Sequence, residues 1–157
     1  MKKSIFLVVF VFAYLLANAQ TQTTIGKFII VEANINGLDY SEHYRNKKGF
    51  IALFVDADKD PCLANVMPVG DSQSYGKIYS LKYQGTEETN TRYETHYYTF
   101  NWEYENTYDS KTGICAVELV LIKKPHAITF ELTMSERGRD TNIYKGYVDG
   151  SLNLDVF

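Results

Sequence analysis

The segment from Tyr98 to Tyr104 constrains the fold of this chain more than any other. Aromatic residues occupy every second position and polar residues fill the positions between them: Tyr98, Phe100, Trp102 and Tyr104 alternate with Thr99, Asn101 and Glu103. A period of two is typical of a strand with one buried face. Because each aromatic ring buries roughly 150–250 Å², this face must line either a core or a pocket.

Similar alternation along the rest of the chain predicts an all-β fold. The pattern indicates eight strands, at residues 27–35, 50–55, 62–69, 75–83, 92–105, 114–122, 128–134 and 141–148. Short links between them favour antiparallel neighbours in an up-and-down meander that closes into a small barrel. An eight-stranded β-sandwich is the alternative. Residues 151–157 predict a short final strand or an ordered tail.

The sequence also predicts a turn, a bulge and a glycine with a positive φ. Residues 84–90 are polar and predict the turn between the fourth and fifth strands. The fifth strand would span roughly 48 Å if fully extended, so we expect a bend or bulge in it near Tyr97 and Tyr98. Gly113 follows the next polar turn, where we expect a positive φ.

The first 19 residues have the pattern of a secretory signal peptide. Lys2 and Lys3 precede an apolar run, and Ala17-Asn18-Ala19 supplies the small residues that signal peptidase requires. Cleavage after Ala19 would leave a single domain, residues 20–157. The expected destination is an exported one: periplasm, cell surface or extracellular space. No later apolar run has the length of a membrane span.

The charge of the chain argues against nucleic acid as a partner. It has 16 Lys and Arg against 19 Asp and Glu, and loss of Lys2 and Lys3 changes the formal net charge from −3 to −5. Phosphate binding needs clustered basic residues, which the sequence lacks. Cys62 and Cys115 would meet an oxidising compartment, where a disulfide between them is chemically permitted.

No motif for catalysis, a metal or a cofactor is present in the sequence. The residues 56–60 resemble the start of a calcium loop, but Pro61 and Met67 replace the required Gly and Glu, so we expect a solvated acidic turn. Glu94 and His96 lie two apart on one strand face as a possible acid–base pair, for which a polar strand end is the simpler interpretation. Glu118 interrupts an apolar strand and is expected to point outward.

The long connector between the first two strands is a candidate lid. Residues 36–49 include one possible helical turn, and Tyr40, His43 and Tyr44 are its candidate contact residues. The alternative is an ordinary packed loop.

With these features, the chain resembles the lipocalins and the broader calycin group. Gly26-Lys27-Phe28 stands where that group carries Gly-x-Trp, with Phe in place of Trp. The chain departs from the group in lacking a helix after the last strand, and no Arg clearly matches the group's late Arg, although Arg137 and Arg139 lie nearby. The resemblance implies a barrel that binds small apolar molecules and is not an enzyme.

Two hypotheses for the function follow. In the first, the protein binds a small apolar ligand in an aromatic interior built from Tyr75, Tyr79, Tyr83, Tyr98, Phe100, Trp102 and Tyr104. In the second, these rings fill a solid core. The protein is then a structural or interaction component of the cell envelope that binds another envelope protein through the first connector or through Tyr93 and Tyr97. An enzyme of unknown class is a distant third hypothesis. A cavity of about 300 Å³ or more would favour the first.

Overall fold

The computed structural model describes residues 23–69, 72–90, 93–137 and 141–156, so the predicted signal peptide lies outside the described residues. Within these ranges the elements are β1 (Thr23–Ile35), β2 (Leu38–Asp39), α1 (Ser41–Asn46), β3 (Phe50–Val55), β4 (Pro61–Met67), β5 (Ser72–Asn90), β6 (Tyr93–Asn106), β7 (Thr112–Lys124), β8 (Ala127–Glu136), β9 (Thr141–Asp149) and a 3₁₀ turn at Leu154–Val156.

Pairing of the first long strand with the last closes the sheet into a barrel. The strand order is β2-β1-β3-β4-β5-β6-β7-β8-β9, all neighbours are antiparallel, and β1 also pairs with β9 from Lys27↔Asp149 to Asn34↔Ile143. The predicted up-and-down barrel of eight strands is therefore confirmed, and the sandwich alternative is wrong. The short β2 is an extra strand, which pairs with the end of β1 through a turn at Asn36 and Gly37, both with positive φ.

Extra residues in β5, rather than in β6, bend this pair of long strands. β6 pairs with β7 in unbroken register from Glu94 to Glu105, so the predicted bulge near Tyr97 and Tyr98 is wrong. The register shifts all add a residue to β5, and the first lies beside Ser80, which has a positive φ of 57°. β5 continues to Asn90 because pairing with β6 overrides the polar composition that predicted a turn.

Inward side chains from the barrel strands form one continuous hydrophobic core. Its most deeply buried members have almost no solvent exposure: Ile25, Phe28, Ile51, Leu53, Leu63, Val117, Leu119, Leu121 and Leu132. Phe28 packs edge-on against Phe130 with ring centroids 5.2 Å apart. Glu118 is exposed on the outer face of β7, as expected.

The C-terminal tail closes one end of the barrel, which we call the closed end. Leu152 and Leu154 pack against the core, and the Asn153 N–H donates to the Ile25 carbonyl at 2.8 Å. A Cβ atom on Gly26 would lie 2.5 Å from Leu152 Cδ1, so only Gly leaves room for this plug. The tail is thus ordered and ends in a 3₁₀ turn, not in a strand.

Candidate functional site

A cavity of about 380 Å³ lies at the other end of the barrel, which we call the open end. It is surrounded by the ends of β1, β4, β6 and β8, by the starts of β5, β7 and β9, and by α1. Its lining residues are Ile35, Asn36, Tyr40, His43, Tyr44, Asn65, Met67, Gln73, Ser74, Trp102, Tyr104, Asn106, Cys115, Met134, Glu136, Asn142 and Tyr144. The layers of the core lie beneath it.

Two stacked aromatic rings from β6 form one wall of this open-end cavity. Trp102 and Tyr104 have ring centroids 4.9 Å apart and an interplanar angle of 30°. The Trp102 indole N–H donates to the buried Leu63 carbonyl of β4 at 3.1 Å, which fixes the orientation of the indole. The Tyr104 hydroxyl donates to Glu136 Oε2 at 3.4 Å. These contacts fix the orientation of both rings in the cavity wall.

Glycines on both neighbouring strands are the register partners of Tyr104, Gly76 on β5 and Gly113 on β7. A Cβ atom on Gly76 would overlap the Glu103 carbonyl oxygen, so Gly allows the close approach of the β6 backbone. A Cβ atom on Gly113 would lie 2.8 Å from three atoms at the end of the Tyr104 side chain, which lies over this residue. Gly113 does not have a positive φ, so that expectation is wrong.

A buried polar cluster forms a second part of the cavity wall. Asn65 Nδ2 donates to the Tyr44 hydroxyl at 3.1 Å and to the Tyr144 hydroxyl at 3.3 Å, and the two phenol oxygens are 3.4 Å apart. The Oδ1 atom of Asn65 is buried and has no hydrogen-bond partner. Leaving such an acceptor unsatisfied costs about 1–3 kcal/mol, so the fold maintains this cluster at a cost in stability.

Burial keeps both phenols of this cluster neutral at ordinary pH. It raises the pKa of Tyr44, although hydrogen bonds from Tyr144 and Asn65 oppose the shift. Burial also raises the pKa of Tyr144 well above its usual value, with the nearby Tyr44 adding to the effect. The cluster therefore presents neutral hydroxyl and amide groups to the cavity, rather than a phenolate charge.

The helix α1 holds Tyr44 against the barrel through several fixed contacts. Ser41 Oγ accepts the buried Ala33 N–H at 3.0 Å, Asp39 Oδ1 accepts the Ser41 N–H at 2.8 Å, and the Arg45 guanidinium donates to the Val31 carbonyl at 2.9 Å. The Ser41 hydrogen bonds also hold the pKa of the Asp39 carboxyl below its usual value. The connector proposed as a lid lies over the cavity, and these contacts fasten it there.

The seven aromatic residues predicted to line the interior separate into distinct groups. Trp102 and Tyr104 line the open-end cavity, whereas Phe100 is buried in the core below them and Tyr98 packs at the closed end. Tyr75 and Tyr79 are 44% and 39% exposed on the outer face, so their expected inward orientation is wrong.

The bulge beside Ser80 explains why Tyr83 differs from these two. Before the bulge the inward residue of β5 is Ile78, and after it the pattern inverts, so Tyr83 pairs with Tyr98 on the inner side. It lies at the closed end, far along β5 from the cavity, and is about half exposed. The sequence could not reveal an inserted residue at Ser80, because Ser carries no signal for positive φ.

Tyr40, His43 and Tyr44, the candidate lid residues, all line the cavity. Sequence reasoning missed Asn65 and Tyr144, which complete the polar cluster. Asn65 did carry a signal: it is the one amide within the otherwise apolar strand Pro61–Met67. A polar side chain on an inward strand position needs a partner, and this rule would have marked it.

A second polar group lies at the closed end, where the sequence suggested an acid–base pair. His96 is buried, its Nδ1 lies 3.1 Å from the Tyr83 hydroxyl, and its Nε2 lies 3.3 Å from Glu94 Oε2. Lys123 Nζ approaches the same carboxylate at 3.8 Å. Among the described residues, His96 Nε2 has no hydrogen-bond partner, although the Glu94 carboxylate lies close to it.

The cysteines and the acidic turn make separate local structures. Cys62 and Cys115 are both buried and are not bonded to each other, so the permitted disulfide does not form. Asp56 accepts the backbone N–H groups of Asp58 and Asp60, as in an ordinary turn closed by its own carboxylate. Within residues 23–69, 72–90, 93–137 and 141–156, no three His, Cys, Asp or Glu residues are placed to hold a metal ion.

Comparisons with known proteins found no relatives of this chain. No known protein family, no curated protein and no solved structure matches it. In the described part of the chain, no helix has the length and apolarity needed to cross a membrane. The closed eight-stranded antiparallel barrel is consistent with a lipocalin-like architecture, and the architecture is the full extent of that likeness.

Proposed function

We propose that the protein binds a compact small molecule in the open-end cavity and performs no catalysis on it. The observation that carries this proposal is the contrast within one barrel. Below Trp102 the inward side chains form a continuous core, whereas above it a cavity of about 380 Å³ lies beside Trp102 and Tyr104. This volume is at the small end of the range for ligand sites.

The shape of the interior limits the length of a ligand that can bind. Within the described residues, buried core side chains fill the space beneath Trp102 that a long acyl or polyene chain would need. A ligand that fits must therefore be short and broad, with its ring against Trp102 and Tyr104.

The alternative function, an interaction component of the cell envelope, has its own supporting feature. Tyr75 and Tyr79 expose large parts of their rings on the outer face of β5, and Tyr93 is similarly exposed at the start of β6. Tyrosine is enriched at protein interfaces. We favour ligand binding because the barrel maintains a buried polar cluster beside an open volume, and an interaction surface on the outside needs neither.

Trp102 provides the test, because it is the single Trp of the chain and lies in the cavity wall. We expect a panel of small non-fluorescent ring compounds to include members that change Trp102 emission with saturation. Ser74→Phe should abolish this change by filling the mouth of the cavity. The matched control, Ala116→Phe on the exposed outer face of β7, should leave it intact.

Absence of any saturable response in the unmodified protein would overturn the proposal. An unaltered response in Ser74→Phe would also contradict it, because binding would then occur outside the cavity.

We also propose that the protein is exported after cleavage behind Ala19. The basic, apolar and small-residue regions of the first 19 residues support this. Intact mass measurement of the protein from its host should give a chain beginning at Gln20. A chain that retains Lys2 and Lys3 would contradict the proposal.

A further inference from the structure

The cluster of Tyr44, Asn65 and Tyr144 is loosely hydrogen-bonded for a buried group. Its three contacts measure 3.1, 3.3 and 3.4 Å. Hydrogen bonds between hydroxyl oxygens are usually about 2.7–2.8 Å, so the contact between the two phenols at 3.4 Å is the weakest. The cluster also includes the Asn65 Oδ1 acceptor, which has no donor. It therefore has unused bonding capacity and one contact that is easily opened.

We propose that the ligand donates a hydrogen bond from a hydroxyl or N–H group to Asn65 Oδ1. This inference rests on the proposed function of the open-end cavity. Oδ1 is buried and has no donor among the described residues, whereas Nδ2 of the same amide already contacts both phenols. Because Asn65 lines the cavity, a small shift of the side chains that cover Oδ1 brings it within reach of a ligand group.

The charges of the cavity disfavour an anionic ligand. None of the described lining residues is Lys or Arg, so no such cation is available to pair with a carboxylate. Glu136 is a carboxylate in the lining, and it accepts a hydrogen bond from the Tyr104 hydroxyl. The other polar lining groups are chiefly carboxamides and hydroxyl groups, including Asn106, Gln73 and Ser74. Removing an anion from water without a partner is costly, whereas these groups satisfy neutral donors and acceptors.

These features together define a chemical class. The ligand is a compact neutral ring compound that carries a phenol, alcohol or amide N–H. The ligand ring packs against Trp102 and Tyr104, and the Asn65 amide oxygen accepts the hydrogen bond from the ligand donor. A site built around a buried acceptor discriminates strongly against an analogue that lacks the donor.

Three probes that share one ring system test this class by isothermal titration calorimetry at neutral pH. 2-Naphthol is a neutral donor, 2-methoxynaphthalene lacks the donor, and 2-naphthoate is an anion. We expect 2-naphthol to bind at least about tenfold more tightly than either of the others.

Variants then locate the source of this preference. Asn65→Leu should reduce the ratio between 2-naphthol and 2-methoxynaphthalene affinities to near one, while the methoxy compound itself still binds. Tyr144→Phe, which preserves the packing, should weaken the preference. The matched control Asn101→Leu, on the outer face of β6 beside Tyr79 and Ala116 and outside the cavity lining, should retain it.

The outcomes separate this inference from the proposed function. Equal binding of 2-naphthol and 2-methoxynaphthalene, or a preference that survives in Asn65→Leu, overturns the inference and leaves cavity binding standing. Tighter binding of 2-naphthoate overturns the assignment of a neutral ligand. If none of the probes binds while other ring compounds change Trp102 emission, the inference fails alone. If no compound of either panel binds, both fail.

Discussion

Single residues decide whether the open end of the barrel is empty or filled. Gly113 matters because Tyr104 lies across it, and Asn65 matters because it joins two phenols that approach from different elements. Neither role depends on a sequence motif. Each arises from side chains that meet only after the sheet closes, and each leads to a measurable consequence.

Replacement of Gly113 by Ala should displace Tyr104. A Cβ atom would lie 2.8 Å from the Tyr104 ring, and such overpacking typically costs about 1–3 kcal/mol. We expect Gly113→Ala to lower the free energy of unfolding by that amount and to change Trp102 emission, because Tyr104 stacks on Trp102. Urea denaturation followed by fluorescence measures both.

A double-mutant cycle checks the cause of this loss. In a Tyr104→Leu background the clash is relieved, so Gly113→Ala should cost clearly less. An equal cost in both backgrounds would show that Gly113 is needed for another reason.

The Cys62 thiol should be unreactive in the folded protein. Burial, with the Asp56 carboxylate next in importance, raises the pKa of Cys62 to about 11 from an ordinary value of 9.0. At pH 8 the thiolate population is then about a hundredfold smaller than that of an ordinary thiol. We expect peptide mapping after iodoacetamide treatment to show slow labelling of Cys62 in the native protein and rapid labelling in urea. Similar rates in both states would contradict the placement of Cys62.

At the scale of elements, the sequence predicted strands from alternating polarity or from short apolar runs. These two patterns located β1, β3, β4, β6, β7, β8 and β9 to within a few residues. The interior position of Trp102 and Tyr104 follows from the same alternation on β6. Both are consequences of local periodicity.

The parts that escaped prediction depend on long-range geometry. β5 carries extra residues relative to β6, and each extra residue changes which positions of β5 face inward. Tyr75 and Tyr79 lie before the first extra residue and face outward, whereas the half-exposed Tyr83 lies after it and pairs with Tyr98 on the inner side. The polar cluster brings together side chains from α1, β4 and β9, which are adjacent only in the closed barrel. The periodicity of the sequence indicates neither the extra residues of β5 nor the polar cluster.

The anchoring of α1 is best tested through Ser41. Its hydroxyl accepts the buried Ala33 N–H, and Ser41→Ala leaves that donor without a partner. Such a loss costs about 1–3 kcal/mol. We expect lower stability in urea and, because α1 carries Tyr44, a weaker response of Trp102 to ring compounds. Glu42→Ala on the exposed side of the helix is the control and should change neither. Unchanged stability in Ser41→Ala would mean that other contacts position the helix.

At the scale of the whole molecule, the barrel combines a solid half with a hollow one. The tail residues Leu152 and Leu154 seal the closed end, and the core continues up to Trp102. Closure of the sheet supplies a rigid rim for the cavity at the other end, since every described strand except the short β2 pairs with a strand on each side.

Global stability should fall at alkaline pH because of the buried phenols. The folded-state pKa values of Tyr44 and Tyr144 are raised above the ordinary value of 10.0, so the folded chain holds these protons more tightly than the unfolded chain does. Their contribution is complete below about pH 10 and is lost as the pH rises above it, by at most about 1.4 kcal/mol per pH unit for each phenol.

Urea unfolding at several pH values between about 8 and 11 measures this loss. Cys62 acts in the same direction above about pH 9, so the comparison is between the unmodified protein and Tyr144→Phe. We expect a shallower alkaline decline in the variant. Parallel declines would contradict the burial of Tyr144.

The central claim is that the open-end cavity holds a compact ligand, and native mass spectrometry of the protein purified from its own host tests it most directly. We expect the unmodified protein and Ala116→Phe to retain a small non-covalent adduct, and Ser74→Phe, with the cavity filled, to appear at its bare chain mass. An adduct of the same size and occupancy on Ser74→Phe would contradict the account, as would the bare chain alone for the unmodified protein.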